Sequence, residues 1–163
     1  VPGRFQLVRS EAAERRGITV VVDYAHTPDG LAELLSSARA VAHRDLTVVF
    51  GCGGERDRPK RPEMGRTAVQ LADHVVVTSD NPRREDPAAI VGDILAGVGP
   101  EYRQRVVTDV DRRSAIRTAL ESAGEGDVVV IAGKGHERVQ EYAEHSVDFD
   151  DVTVATEIRE EMA

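Results

Sequence analysis

Short apolar runs alternate with amphipathic segments along most of this chain, and that alternation restricts the folds it can adopt. Five runs rich in valine, leucine and isoleucine are predicted to be strands, at 18–23, 46–50, 75–78, 106–108 and 127–132. Between them, apolar residues recur at the three- and four-residue spacing of a helix. Strands that alternate with helices predict an α/β fold, with a Rossmann-like, mostly parallel sheet and helices on both faces.

Start signals support the helical segments. Predicted N-caps precede four of them, at Thr27, Asp86, Asp111 and Asp151. A proline follows each of the first two caps, as is common in the first turn of a helix. A further helix is predicted over 62–72.

The segments outside this alternation have weaker patterns. Residues 5–9 are predicted to form a short first strand, and the polar stretch 11–17 is interpreted as a turn. Residues 138–142 and 146–149 are predicted to pair as a small hairpin. None of these segments changes the predicted fold class.

The composition fits one domain, and residues 1–163 are predicted to be a single unit with its own core. The net charge of −8 argues against nucleic-acid binding, which requires a basic surface. No apolar run is long enough to span a membrane and no signal peptide is visible, so no membrane partner is expected. The one cysteine, Cys52, excludes an internal disulfide framework and fits a cytoplasmic location. Because the chain begins at Val1 without methionine, we expect it to be part of a longer protein.

Polar residues directly follow four of the predicted strands, in loops at 23–27, 51–61, 80–84 and 133–137. Because the carboxyl ends of parallel strands meet at one edge of a sheet, where ligands bind in open α/β folds, we expect these loops to converge. The protein is acidic, yet basic residues are concentrated at this edge: Arg56, Arg58, Lys60, Arg61, Arg83, Arg84 and Lys134.

This concentration of charge predicts an anionic or zwitterionic ligand. Arginine binds a carboxylate through two parallel hydrogen bonds. The carboxylates of Asp80 and Glu137 would suit an ammonium group on the same ligand. The alternative for Arg58, Lys60 and Arg61 is a solvated face with no ligand.

More specific sites at this edge have less support. The glycine-rich run 51–54 resembles a phosphate cradle, but it lacks the Gly-Lys-Ser/Thr ending of a P-loop. A turn that makes room for a neighbouring segment is the alternative. The nearby histidines and carboxylates have no ligand spacing, so no metal site is predicted there. Cys52 is interpreted as a small buried side chain and not as a nucleophile.

Six motifs that occur in order carry a resemblance to a known family. They are Val1-Pro-Gly-Arg4, Asp23-Tyr-Ala-His-Thr-Pro28, Gly51-Cys-Gly-Gly-Glu-Arg-Asp57, Lys60-Arg-Pro62, Asp80-Asn-Pro-Arg83 and Gly133-Lys-Gly-His-Glu137. Together they resemble the C-terminal domain of Mur ligases of the meso-diaminopimelate-adding (MurE) type, over essentially the whole chain. The Asp-Tyr-Ala-His motif is shared with other ligases of this kind, including cyanophycin synthetase. The last two motifs together are far more specific.

The resemblance implies one domain of an ATP-dependent amide ligase of peptidoglycan synthesis. The full-length enzyme would attach meso-diaminopimelate to UDP-N-acetylmuramoyl-L-alanyl-D-glutamate through an acyl phosphate. The P-loop, the Mg²⁺ ligands and the UDP-sugar domain of the family are missing from this chain. We therefore expect ATP and Mg²⁺ to be bound mainly by a central domain, and the UDP-linked dipeptide by the missing domains. The isolated domain is expected to be inactive and monomeric.

The resemblance also assigns site residues, although no catalytic residue is assigned within this domain. Six match the positions that hold meso-diaminopimelate: Arg56, Asp80, Asn81, Arg83, Gly133 and Glu137. Four match positions near the nucleotide: Arg4, Asp23, Tyr24 and His26.

Two other interpretations stay open from the sequence. The same domain could belong to a lysine-adding or other Mur-type ligase, but lysine lacks the second carboxylate that Arg83 would bind. A stand-alone binding module for an acidic metabolite would also fit a chain without a P-loop.

Overall fold

The computed structural model describes residues 3–162. Val1 and Pro2, which begin the first motif, and Ala163 lie outside the described residues. The strands are β1 Gln6–Leu7, β2 Thr19–Asp23, β3 Leu46–Phe50, β4 His74–Val77, β5 Val106–Thr108, β6 Val128–Ala132, β7 Val139–Glu141 and β8 Ser146–Asp148. The helices are α1 Glu11–Arg16, α2 Pro28–Val41, α3 Lys60–Leu71, α4 Pro87–Leu95, α5 Arg112–Ser122 and α6 Asp151–Met162, with a 3₁₀ helix at Pro100–Arg105.

Six strands form one sheet in the order β1-β2-β6-β3-β4-β5, and all of them except the antiparallel β1 run parallel to their neighbours. This arrangement confirms the predicted mostly parallel sheet. The last apolar strand, β6, lies between β2 and β3. The carboxyl ends of β2, β6, β3 and β4 are therefore consecutive along one edge of the sheet, and the four polar loops start there.

Helices cover both faces of the sheet, as predicted. Because successive side chains of a strand point to opposite faces, the valine-rich strands supply both cores. Val48 and Phe50 of β3 pack in one core, with α2, α3 and α4, whereas Val49 packs in the other, with α5 and α6. Every residue of β3 and β6 is buried. This two-sided burial fixes the strand ends that carry the polar loops.

Three of the four predicted N-caps are confirmed. Thr27 accepts a hydrogen bond from the backbone N–H of Gly30, and Asp86 and Asp111 cap α4 and α5 in the same way. The fourth prediction is wrong, because the cap of α6 is Asp150, whose Oδ1 accepts from the N–H of Val152 at 3.0 Å. Asp151 is instead the first helical residue, and its side chain is buried.

Other differences from the sequence prediction lie in polar segments. Residues 11–16, predicted as part of a turn, form helix α1, with acidic residues in its first turn and basic residues in its last. That charge order stabilises a helix through its dipole and compensates for the lack of an apolar stripe. Helix α3 starts at Lys60, two residues before the predicted start. The predicted hairpin is confirmed as β7 and β8.

Among residues 3–162, no helix is both long and apolar enough to cross a lipid bilayer.

Candidate functional site

The four polar loops meet in one cleft at the carboxyl edge of the sheet, as predicted from the strand pattern. This main cleft has a volume of about 290 Å³ and is lined by Tyr24, His26, Gly53, Arg56, Lys60, Asp80, Asn81, Arg83, Gly133 and Glu137. The six residues that the resemblance assigned to meso-diaminopimelate all line it. The sheet therefore assembles one cleft from segments that are more than a hundred residues apart in the chain.

The four residues assigned to the nucleotide are divided between two clefts. Tyr24 and His26 line the main cleft, whereas Arg4 and Asp23 line a neighbouring side cleft of about 250 Å³. The two clefts adjoin at Tyr24, whose ring centroid lies 5.4 Å from the guanidinium carbon of Arg4. Asp23 Oδ2 accepts from the N–H of Phe5 at 2.6 Å, and Oδ1 accepts from the N–H of Ala25 at 2.8 Å. Asp23 therefore braces the segment before β1 in this conformation.

Asp80 supplies a buried carboxylate to the main cleft. Its side chain follows β4 and is only 7% exposed. Burial raises the pKa of Asp80, and the positive charges of Arg112 and Lys134 oppose that rise. A Cβ at Gly133, where φ is +113°, would lie 2.7 Å from Asp80 Oδ2, so a glycine is required beside this carboxylate. A buried carboxylate whose pKa is raised favours a ligand group that carries a positive charge, because such a group stabilises the ionised form.

Arg83 lies between the main cleft and the hairpin. Its Nε donates to Glu141 Oε2 at 3.0 Å, and its Nη1 donates to the carbonyl of Gly54 at 2.8 Å. Its backbone is in the left-handed region, with φ at +54°, and its N–H donates to the carbonyl of Glu141. These contacts hold the guanidinium in place while leaving about a fifth of the side chain exposed.

Two more cations line the main cleft. Arg56 is exposed, and its Nη1 donates to the neighbouring carbonyl of Glu55. Lys60 begins α3, and its Nζ donates to the carbonyl of His26 at 2.8 Å, which ties the loop after β2 to the loop after β3. Cationic groups thus share the main cleft with the carboxylates of Asp80 and Glu137.

The glycine-rich run 51–54 is a packing turn. The N–H of Gly54 donates to the carbonyl of Asn81 at 2.7 Å, and a Cβ at Gly54 would collide with the carbonyl of Pro82. This close approach confirms the turn interpretation. Cys52 is buried within the run, and burial raises the pKa of its thiol to about 12, which keeps it protonated and unreactive. Within the described part of the chain, no group of histidine, cysteine and carboxylate side chains is arranged to hold a metal ion.

Arg61 is a structural residue and not part of a solvated face, so that alternative is wrong for this position. Its side chain is 1% exposed, and it donates to Glu85, to Asp93 and to the carbonyl of Gly53. These bonds tie α3 and α4 to the glycine-rich turn. The hydrogen bond from Arg61, followed by one from the N–H of Glu55, lowers the pKa of Glu85 to about 2.

The lowered pKa of Glu85 predicts a pH-dependent contribution to stability. A carboxylate with a folded pKa near 2 and an ordinary value of 4.5 contributes fully above about pH 4.5, and that contribution is lost as pH falls toward 2. We expect Glu85→Gln to lower the free energy of unfolding at pH 7, with the gap to wild type narrowing between pH 4.5 and 2. Urea unfolding of both proteins across this range measures the gap. A gap that does not change with pH would contradict the assignment.

A buried ion pair beneath the main cleft was not predicted. Arg112 donates from Nε and Nη2 to the two carboxylate oxygens of Asp151, both at 2.8 Å. It also donates to the carbonyls of Ser79 and Ala132, the residues before Asp80 and Gly133. Burial works most strongly against the charge of Arg112, but the combined attraction of Asp151, Asp80 and Glu137 raises the pKa of Arg112. The pair therefore fixes the ends of the two segments that carry the cleft's carboxylates.

The signal that could have found this pair is helical spacing. Arg112 lies four residues before Ile116 and seven before Ala119, so it shares the apolar face of its helix. An arginine on such a face requires a buried partner.

The β7–β8 hairpin contacts the loop after β4, which contributes Asp80, Asn81 and Arg83 to the main cleft. The Nε2 of Gln140 donates to the carbonyl of Asp80 at 2.8 Å, and Gln140 in turn accepts from the hydroxyl of Tyr142. With the Arg83–Glu141 contact, these bonds hold the loop after β4 against the hairpin. The hairpin is thus part of the frame of the site.

The chain is similar to one known family over most of its length. A family model described as "Mur ligase, glutamate ligase domain" matches residues 3–135. A protein of Thermosynechococcus vestitus named UDP-N-acetylmuramoyl-L-alanyl-D-glutamate--2,6-diaminopimelate ligase is 55% identical over 151 residues, which are 93% of this chain and 30% of that protein. A protein of the same name from Syntrophomonas wolfei is 50% identical over 158 residues, covering 97% of this chain and 32% of that protein.

A solved structure of a ligase with that name has the same fold. It superposes with a TM-score of 0.89 at 43% sequence identity, and the match covers 99% of this chain and 32% of that chain. The chain thus spans about a third of the length of the relatives it matches.

Proposed function

Because this chain belongs to the Mur ligase family, as a glutamate ligase domain, we propose that it is the C-terminal domain of an ATP-dependent ligase of peptidoglycan synthesis. The full-length enzyme attaches meso-diaminopimelate to UDP-N-acetylmuramoyl-L-alanyl-D-glutamate, and this domain binds the incoming amino acid. Relatives about three times as long as this chain support a protein with two further domains, a central ATPase domain and an N-terminal UDP-sugar domain.

The observation that carries the proposal is that both positive and negative side chains line the main cleft. Arg56, Lys60 and Arg83 approach it from the loops after β3 and β4, whereas Asp80 and Glu137 face it from the loops after β4 and β6. The end of meso-diaminopimelate that does not react is itself an amino acid, with one carboxylate and one ammonium group. The arginines suit the carboxylate, and the acidic side chains suit the ammonium.

The cationic part of this lining favours meso-diaminopimelate over lysine. Lysine has no carboxylate at its far end, so it would leave the guanidinium of Arg83 opposite an ammonium group without a partner. Gly133 completes the proposed set by leaving room beside Asp80, and Asn81 adds an amide to the lining of the cleft.

ATP and Mg²⁺ belong mainly to the central domain in this proposal. We assign the magnesium that supports phosphoryl transfer to that central domain. The contribution of this domain to the nucleotide comes from Arg4, Asp23, Tyr24 and His26, which face the adjoining clefts. Its own chemistry is binding, orientation and exclusion of water around the amine that will react.

The remaining features of the proposal follow from the family and the charge. The enzyme works in the cytoplasm as a monomer, with the UDP-linked dipeptide held by the other two domains. The net charge of −8 gives no support to a nucleic-acid partner.

The isolated chain is expected to unfold cooperatively but to release no phosphate from ATP, since its core is complete and it has no P-loop. Circular dichroism in urea measures the first property, and a phosphate-release assay with meso-diaminopimelate and UDP-linked dipeptide measures the second. The full-length ligase that contains this domain is the positive control and should consume meso-diaminopimelate in preference to lysine. Phosphate release by the isolated chain at the rate of the full ligase would refute the domain assignment, and a full-length enzyme that ignores meso-diaminopimelate would refute the substrate.

A further inference from the structure

Lys134 follows strand β6 in the motif that contributes Gly133 and Glu137 to the main cleft, yet its own side chain is completely buried. Its ammonium donates to Asn81 Oδ1 at 3.0 Å, to the carbonyl of Val139 at 2.5 Å and to Glu137 Oε1 at 3.5 Å. An ammonium group has three N–H bonds and no acceptor. Because all three are directed at protein oxygens, Lys134 has no donor left for a ligand.

The contact with Asn81 determines which end of its side-chain amide faces inward. Asn81 Oδ1 accepts from Lys134 and also from the backbone N–H of Glu141 at 3.0 Å. Both partners are donors only. If the amide oxygen and nitrogen were exchanged, the NH₂ group, which is also a donor, would face two donors and accept from neither. The chemistry of the neighbours therefore fixes the oxygen toward Lys134.

The amide nitrogen of Asn81 is left for the main cleft. Asn81 lines that cleft, and none of the described residues accepts a hydrogen bond from its Nδ2. Among the described residues, the polar atoms that are both fully buried and without a hydrogen-bond partner do not include this nitrogen. It is thus a free donor at the wall of the cleft that Arg83 also lines.

We propose that Lys134 is a positioning residue that locks the Asn81 amide, so that Asn81 donates a hydrogen bond to a carboxylate oxygen of the incoming amino acid and does not accept one from its ammonium group. The inference rests on the proposed function and deepens it. Asn81 joins Arg83 on the side of the cleft that binds the carboxylate, and Asp80 with Glu137 forms the side that binds the ammonium.

Asn81→Asp in the full-length ligase tests the polarity directly. An aspartate can still accept from Lys134 and from the N–H of Glu141, so the loop stays in place, but it presents an oxygen to the cleft where wild type presents N–H. We expect KM for meso-diaminopimelate to rise about tenfold, since a hydrogen bond to a charged group is exchanged for repulsion. The KM for ATP should be unchanged. The thermal midpoint of the isolated domain should be unchanged or higher. Gln104→Glu, on the exposed 3₁₀ helix, makes the same amide-to-acid change away from the cleft and should alter none of these values.

Lys134→Met provides the second measurement, because it removes the ammonium and keeps the apolar stem. With only the N–H of Glu141 left to hold Asn81 Oδ1, KM for meso-diaminopimelate should rise at least several-fold while KM for ATP stays within about twofold. A residue that only stabilises the fold would lower the thermal midpoint and change both KM values together, and that outcome would overturn the positioning role.

The direction in which Asn81→Asp changes KM for meso-diaminopimelate distinguishes an Asn81 that donates to the carboxylate from one that accepts from the ammonium group. If Asn81 accepted from the ammonium group, aspartate would lower KM for meso-diaminopimelate, and the inference would fall. A marked fall in thermal midpoint would overturn the lock itself, because aspartate retains both acceptor contacts. These outcomes presuppose that the wild-type enzyme consumes meso-diaminopimelate. If it does not, the proposed function fails first, and the two failures are thereby distinguished.

Discussion

Replacing Asp151 with alanine is expected to lower the free energy of unfolding of this domain by about 3–5 kcal/mol, the cost of leaving a buried charge without its partner. The side chains of Arg112 and Asp151 are both 0% exposed, and no other carboxylate among the described residues bonds to Arg112. Urea unfolding of the isolated chain at pH 7, with the denaturant slope checked for constancy, measures the loss.

A matched control joins the same two helices at the surface. Arg113 and Glu157 also link α5 to α6, at 2.9 Å, but their side chains are 39% and 49% exposed. Because solvent screens an exposed pair, Glu157→Ala should cost no more than about 1 kcal/mol. Equal losses in the free energy of unfolding from Asp151→Ala and Glu157→Ala would show that burial does not increase the contribution of the Arg112–Asp151 pair to stability.

The Asp151 variant should also affect the main cleft. Arg112 holds the carbonyls of Ser79 and Ala132, which immediately precede Asp80 and Gly133. If the guanidinium moves toward water, both strand ends lose their common partner. The ion pair thus joins the stability of the core to the geometry of the site.

The fold could be predicted from the sequence because its signals are local and mutually consistent. Apolar strands, helical spacing and the caps at Thr27, Asp86 and Asp111 depend on neighbouring residues alone. The cap of α6 was misassigned because two aspartates, Asp150 and Asp151, stand side by side, and local pattern does not distinguish a cap from a buried ion-pair partner. What decides between them is Arg112, 39 residues away.

The candidate site could be predicted only in part, for a similar physical reason. Parallel strand ends must share an edge, so the convergence of the four loops follows from the strand pattern alone. The direction in which a charged side chain points does not follow from it. Arg56 and Arg61 are both basic residues of one loop region, yet the first is exposed and the second is buried. Lys134 likewise lies in a motif to which the resemblance assigns ligand-binding residues, but it uses every donor inside the protein.

The four residues that the resemblance assigns to the nucleotide show a further limit of prediction from the sequence. Arg4 and Asp23 line a different cleft from Tyr24 and His26 in this single domain. In the proposed full-length enzyme, the nucleotide lies against another domain. The contacts of these four residues therefore depend on a surface that this chain does not supply.

Replacing Arg83 with alanine in the full-length ligase is expected to lower kcat/KM for meso-diaminopimelate by about ten- to a hundredfold or more. A hydrogen bond between charged groups contributes roughly 1.5–3 kcal/mol, and each 1.4 kcal/mol or so is about tenfold in rate or affinity. The use of lysine should change little, because lysine lacks the carboxylate. Arg83→Lys should recover only part of the loss, since an ammonium group cannot form the planar two-bond contact. The measurement is kcat/KM for both amino acids in wild type and in the two variants.

The competing account is that Arg83 only braces its loop. The side chain of Arg83 has two bracing bonds, from Nε to Glu141 Oε2 and from Nη1 to the carbonyl of Gly54, and Glu141→Gln weakens the first of them. That variant removes the charge of the partner and keeps the guanidinium beside the cleft. If Arg83 binds the substrate carboxylate, Glu141→Gln should leave the preference for meso-diaminopimelate over lysine intact, whereas Arg83→Ala should abolish it. If bracing is the whole role, each variant should lower the use of meso-diaminopimelate and of lysine by the same factor, Glu141→Gln by less than Arg83→Ala, and both variants should lower the thermal midpoint. The two accounts differ in the ratio of kcat/KM for meso-diaminopimelate to kcat/KM for lysine. A general loss of activity leaves that ratio unchanged, so it cannot be mistaken for the loss of carboxylate recognition.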